Sequence, residues 1–524
     1  MPIAPRPGWS ARRVRPDAGR LPSSGSPDPH SIQETAVTER TPDNQEFEAP
    51  VSERRKRKNG LLQGVSEELA AHMRQGWGDT ELRGLEPIPQ AAHTARRRAV
   101  LSARFPGELL VVPSGNPKVR SNDTDYPFRP SSDYVYLTGD QSEDAALVLE
   151  PLADGGHQAV AYLLPRSDRE NGEFWLDLHG ELWDGRRPSL TENERLLGLP
   201  CRDVRTLLER LGEAIGPVRL LRGHDTDIEA ALSDAVSLRD DEEFREFLSG
   251  MRLVKDEFEI ADLRFACEAT ARGFEDVVRA MGADTPTSER VIEGTFFLRA
   301  RTEGNDIGYK SVCAAGEHAT TLHWVRNNGQ ARPGELLLLD AGVETANLYT
   351  SDVTRTVPVN GRFSPIQRKV YDAVYAAQEA GIAAVKPGAG FRDFHVAAQR
   401  VLAEHLVAWG LLGDRSADEV FGLGLHRRWT LAGTGHMIGL DVHDCAVARR
   451  EAYVDGPLEP GMVLTVEPGM YFQADDLSVP EEYRGIGVRI EDDILVTADG
   501  NENLSAGLPR QADDVEAWMA RVRG

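Results

Sequence analysis

At 524 residues the chain is long enough for two or three domains with substantial cores. A formal net charge of −24 argues against nucleic acid or a membrane surface as the main partner, and no apolar run approaches membrane-spanning length. Four cysteines, Cys201, Cys267, Cys313 and Cys445, are scattered without a CxxC pair, and the N-terminus lacks an apolar h-region; both features predict reduced thiols in a cytoplasmic protein.

Residues 1–60 are rich in Pro, Ser, Arg and Glu with little periodicity, which predicts a disordered tail. Its basic run RRKRK (Arg54–Lys58) reads as a solvated charge run rather than a nucleic-acid patch, given the acidic remainder. From about 62 to 105 the spacing is helical. Strands are then expected at Glu108–Val112, Tyr134–Leu137, Ala145–Leu149 and Val160–Leu164, alternating with helical stretches such as Val204–Ala214. This predicts an α/β domain over residues 61–245. A helix should follow the acidic stretch Asp240–Glu246. There Ile260, Leu263, Cys267, Phe274, Val278 and Met281 track one face, which makes Cys267 a core residue. Beyond residue 300 the chain becomes strand-rich with two long helices. Ser364 caps the first, with Pro365 at its first position and Lys386-Pro387-Gly388 as its stop. Phe391 to Trp409 forms the second. Strands return at Val463–Glu467 and Gly487–Val496. The second domain, over 246–515, is therefore α+β.

Acids at strand ends carry the chemistry. The run Leu336–Leu339 drives into Asp340, and Asp352 opens a β-branched return through Val353, Thr354, Thr356 and Val357. Gly342 and Asn347 supply bend and turn residues. A hairpin brings such a pair to roughly 5 Å, where two anions repel unless positive charge lies between them. That stretch alone also fits two unrelated acids at strand ends. Three further stretches match it in kind. GTGHMIGLDVHD carries His436 and His443. GMVLTVEPGMYF ends a strand on Glu467. GVRIEDDILV carries Glu491 in a strand, with Arg489 on the same face. Strands are poor in acids, and buried acids need partners. One metal centre serves them all. Four carboxylates with an imidazole exceed the needs of one catalytic zinc and suit two divalent ions roughly 3.5–4 Å apart with a water or hydroxide between. Such oxygen-rich ligation favours manganese(II), with cobalt or zinc as alternatives.

The order Asp, Asp, His, Glu, Glu, in LLDAG with SDVTRT, GTGHMIGLDVHD, TVEPG and GVRIEDD, resembles the pita-bread metallopeptidases. RSNDTDYPFRPSSDYVYLTG and ELWDGRR resemble the N-terminal domain of bacterial Xaa-Pro aminopeptidases (aminopeptidase P). The resemblance covers roughly residues 95–510. It implies an α/β N-terminal domain on a pita-bread catalytic domain, and an aminopeptidase acting on peptides with proline second. The implied metal ligands are Asp340, Asp352, His436, Glu467 and Glu491. Asp340 and Glu491 would bridge two ions, with Asp352 on one and His436 and Glu467 on the other. Glu467 would also move the proton. His323, in TLHWVRNNG, and His443 match the substrate-site histidines, and Arg489 matches an arginine beside the last ligand. Asp123 either caps a turn or pairs with that arginine across the domain interface. Ala432 stands where relatives often carry a further histidine. His426 could replace it, although a surface position fits it better. Cys445 is expected to be buried and inert. Trp183 is either core or the cover of a substrate entrance as part of an oligomer, since relatives are often dimers or tetramers. The rival readings are a dipeptidase of Xaa-Pro substrates on the same fold and a metal-free binding relative. A two-metal phosphatase lacks any phosphate-cradling loop here.

Overall fold

A computed structural model describes residues 65–524 apart from positions 123 and 178. The expected tail, its basic run and Asp123 lie outside the described residues. A five-stranded mixed sheet organises the first domain, in the order Cys201–Asp203, His157–Leu163, Ala146–Pro151, Leu109–Pro113, Val218–Leu220. The three inner strands pair antiparallel, and each edge strand runs parallel to its neighbour. Side chains alternate across the pleat. Leu110 and Val112 therefore feed one core, and Leu109 and Val111 feed the core on the other face.

Several expected elements differ. Tyr134–Leu137 is not a strand but lies in a helix, Ser132–Thr138. Ser131 caps that helix by accepting from the Tyr134 amide, and Gly139 ends it in the left-handed region. Burial on all sides hides the helical period, so the run reads as a strand. The stretch 62–105 is two helices, Glu67–Met73 and Ala91–Arg104, with Pro87 and Pro89 in the gap. The acidic stretch Asp240–Glu246 itself lies inside a helix, Leu238–Met251, ahead of the expected helix at Glu257–Ala280. Residue 245 is therefore mid-helix. That helix stays with the first sheet, since Asp241 accepts from the Leu220 amide at 2.8 Å.

The helix Glu257–Ala280 opens on an Asp256–Glu259 capping box and buries Leu263, Cys267, Phe274 and Val278. The two later helices run Pro365–Ala384 and Asp393–Ala408, the first with Ser364 and Gln367 as its capping box. Between and beneath them lie antiparallel sheets. One orders Val312–Ala315, Leu336–Ala341 and Val353–Pro358; another orders Val463–Val466, Asp492–Val496 and Asn501–Asn503; Gly469–Tyr471 pairs with Gly487–Arg489. The expected single strand 487–496 is thus two strands in different sheets, with Ile490 and Glu491 at the crossing.

The hairpin joins as its sequence predicts. Asp340 pairs with Thr354, so Asp352 is its diagonal neighbour on the same face. Gly342 permits the close approach of the two arms: a Cβ there would sit 1.8 Å from the Ser351 carbonyl oxygen. Arg355, on the same return strand, is fully buried. It pairs with Asp492 at 2.7 Å and donates to the Glu491, Leu508 and Pro509 carbonyls. This one guanidinium ties the hairpin to the strand crossing.

Removing one partner of such a buried pair strands the other charge, at a cost of about 3–5 kcal/mol. Arg355→Met should fall near the lower end, because Arg510 remains 3.6 Å from Asp492. The expected result is a clearly lower denaturation midpoint, partly recovered in Arg355→Met/Asp492→Asn. An unchanged midpoint would show that the pair does not hold the crossing.

Candidate metal centre

Asp340, Asp352, His436, Glu467 and Glu491 line one cavity of about 320 Å³, together with His323, His443, Tyr309, Tyr471, Arg489 and Ala432. His436 Nε2 lies 3.4 Å from Asp352 Oδ2 and 3.6 Å from Glu467 Oε1. One ligand atom each from Asp352, His436 and Glu491 falls within a 4.8 Å group. The Tyr309 hydroxyl sits between the two hairpin acids, 2.7 Å from Asp340 Oδ1 and also on Asp352 Oδ1. It has one proton, so it satisfies only one of them at a time.

Arg489 is the permanent cation of the site. It donates to Asp340, to Thr354 Oγ1 at 3.0 Å and to the Tyr471 hydroxyl at 3.0 Å. Thr354 passes a hydrogen bond on to Glu491 Oε2 at 2.6 Å. Arg489 thus meets an acid already counted among the ligands, and its acceptors come from its own domain. Asp123, which in one of its two expected roles would reach it, lies outside the described residues.

Three of the four carboxyls resist ionisation; Asp352 is the exception, where burial is overcome by the hydrogen bond and charge of His436, which lower its pKa. Burial pushes Glu467 up to about 7, against the attraction of His436 and Arg489. Burial, then Asp352, Glu467 and Asp340, hold Glu491 well above its ordinary value. Asp340 is also raised by burial, although Arg489 opposes. Burial opposes charge on His436, but its hydrogen bond to Asp352 and the charge of Glu467 outweigh it and raise the imidazole to about 9. Glu491 Oε1 is buried with no hydrogen-bond partner among the described residues. An unpaired buried carboxylate oxygen facing three other carboxyls and an imidazole fits a divalent cation. Asp493 accepts from the Asp352 amide at 3.1 Å and from the Cys267 thiol at 3.2 Å, so the core cysteine also braces a site residue.

The two substrate-side histidines sit on loops. His443 stands edge-on to His436, ring centres 4.4 Å apart. Burial, then His436, lower its pKa. Its loop is pinned from the first domain. Arg252 bridges Asp133 at 2.6 Å, Asp444 at 3.1 Å and Asp441 at 3.3 Å. Lys255 holds Asp444 at 3.0 Å, and Ser132 holds Asp441 at 2.6 Å. Cys445 is buried beside Lys255. His426 is not at the surface: it is buried, stacked on Phe421, and outside the cavity lining. Ala432 does line the cavity. Trp183 is half-exposed rather than core. Tyr309 and Tyr471 carry no sequence signal as site residues, whereas Thr354 carries one in its register on the Asp352 face.

Residues 261–498 match the model of metallopeptidase family M24, and residues 93–218 match the aminopeptidase P N-terminal domain. The chain is 67% identical over 493 residues to Xaa-Pro aminopeptidase 1 of Streptomyces coelicolor, covering 93% of this chain and 99% of that one. It is 63% identical over 471 residues to Xaa-Pro aminopeptidase 2 of the same organism, covering 90% and 99%. Zinc-substituted aminopeptidase P of E. coli, solved with product, superposes with a TM-score of 0.74 at 32% identity, covering 83% of this chain and 100% of that one. Fold and site together define a metallopeptidase with a pita-bread catalytic domain, which works with divalent metal ions. Within that class, the chain belongs to the Xaa-Pro aminopeptidase (aminopeptidase P) family.

Metal ligands must be deprotonated to bind. Near pH 6.5 Glu467, raised to about 7, and His436, raised to about 9, hold protons, and Glu491 is shifted in the same direction. Loading the metal-free protein with manganese(II) should therefore release protons, and affinity should rise from pH 6 to pH 8. Calorimetry in buffers of different ionisation enthalpy measures that release. An affinity flat across this range would contradict the proton inventory.

Proposed function

We propose that this chain releases the first residue of peptides whose second residue is proline. The carrying observation is the cavity, which gathers four carboxyls, the His436 imidazole and two further imidazoles in one place. Asp340, Asp352, His436, Glu467 and Glu491 would hold two divalent ions. Manganese(II) suits this oxygen-rich set best, ahead of cobalt or zinc. When bound, such ions acidify a water towards neutrality and polarise the scissile carbonyl.

The chain's own residues do the remaining work. Glu467 accepts the proton from the attacking water and hands it to the departing proline nitrogen. His323 and His443 donate to the carbonyl oxygen as it gains charge, or orient the substrate. His443, held neutral by burial and by His436, keeps one N–H for that purpose. Arg489 steadies Asp340 directly and Glu491 through Thr354. The bond before proline is a tertiary amide without an N–H, so enzymes that grip an extended backbone hold it badly. A cavity that engages a free amine and one carbonyl has no such requirement. The substrate amine meets the acidic cluster, which selects the first residue.

Four buried, unpaired cysteines suit a cytoplasmic setting. No helix among the described residues is long and apolar enough to cross a membrane. Exposed Leu182 and Trp183 on the N-terminal domain support a homo-oligomer, a dimer or tetramer.

A peptide such as Arg-Pro-Pro should lose its arginine in the presence of manganese(II). Cleavage of Arg-Pro alone would instead identify a dipeptidase. Glu467→Gln should retain part of its metal and lose about 10²–10⁴-fold in kcat. Near-normal turnover in that variant would assign the proton transfer to another group.

A further inference from the structure

The helix Glu289–Glu303 begins on a side chain with no exposed surface. Glu289 has its backbone tied to the far end of a loop, its amide donating to the Gly329 carbonyl at 3.2 Å. Its carboxylate enters the same loop as a fork. Oε1 accepts from the Ala315 amide at 3.0 Å and lies 2.8 Å from His318 Nδ1. Oε2 accepts from the Gly329 amide at 2.6 Å and from the Trp324 indole at 3.0 Å. All four partners lie on residues 315–329. That segment carries Leu322, His323 and Val325 into the cavity wall.

The fork is enclosed on every side. The His318 and Trp324 rings stack at 3.9 Å. A Cβ on Gly329 would come within 2.5 Å of His318 and 2.9 Å of Glu289 Oε1. The loop's far wall rests on Gly487, where a Cβ would meet the Ala319 carbonyl oxygen at 2.0 Å. Charge-assisted bonds to a carboxylate are about twice as strong as neutral ones. Both of its oxygens are used, on opposite parts of the loop. His323 itself is exposed and makes no such bond to hold it; its direction is set by the loop beneath it.

We propose that Glu289 is the positioning residue for His323: its carboxylate closes residues 315–329 into one rigid loop and so presents the His323 imidazole to the substrate carbonyl. The proposal rests on the reading of His323 given above. A glutamine at this position accepts on one atom only, and its amide N–H₂ faces two donors. An aspartate is a methylene too short to reach both sides.

Glu289→Gln, His323→Ala and the double variant should be assayed on Arg-Pro-Pro with manganese(II), with bound metal and thermal midpoint measured alongside. His323→Ala should lower kcat by about 10²-fold, the size of a lost oxyanion donor. Glu289→Gln should lower kcat by about 10–100-fold, with the metal content unchanged. The double variant should be little worse than His323→Ala, because both losses run through one imidazole. If His323→Ala is near normal, the reading of His323 fails and this proposal falls with it. If His323→Ala is impaired while Glu289→Gln is normal, loses metal, or multiplies with His323→Ala, the proposal alone is overturned. Should Glu289→Gln fail to fold, Trp324→Phe removes a single donor from the same fork. It should give a smaller loss that is likewise absent on the His323→Ala background; a loss that persists there overturns the proposal.

Discussion

Four carboxyl groups cannot share one buried cavity without positive charge among them. Two unit charges 4 Å apart repel by about 4 kcal/mol at an effective dielectric of 20, and this cavity contains several such pairs. The surrounding structure answers that constraint piece by piece. Arg489 neutralises one acid outright and touches a second through Thr354. The Tyr309 hydroxyl shares its proton across the hairpin. His436 leans on Asp352 and Glu467. What these groups leave over is negative, concentrated and aimed inward, and divalent cations satisfy it.

The same economy governs the walls. The loop behind His443 is held by Arg252 and Lys255 through Asp444, with Asp133 of the first domain completing the contact. Arg129 extends it, pairing with Glu344 at 2.8 Å and donating to the Leu440 carbonyl. The N-terminal domain is thus part of the frame around the substrate side. Arg252, Arg355 and Arg489 are all buried, and each is matched by an acid from another element.

Much of this was legible in sequence because it depends on local rules. Ser364 with Pro365, and the alternation around Asp340 and Asp352, specify a helix start and a hairpin whatever surrounds them. Tyr134–Leu137 reads as a strand because its helix buries every one of these side chains, leaving no polar period to read. The strand ending on Arg489 reads in sequence as continuous with Asp492–Val496, because apolar alternation does not reveal a change of sheet. Tyr309 could not be found at all: its role depends on where a non-adjacent segment comes to rest. Arg489 finds its acid within its own domain: Asp340 accepts from it with one oxygen and from Tyr309 with the other, a pairing that depends on where two distant strands meet.

Glu491 stands where the chain leaves one sheet for another, while Asp340 and Asp352 belong to a hairpin far upstream; Arg489 and Asp340 are 149 residues apart. Neither portion of the domain assembles a cation site by itself. An ion held by residues of both segments would bind only where the two are docked, so its binding free energy would add to the stability of that seam.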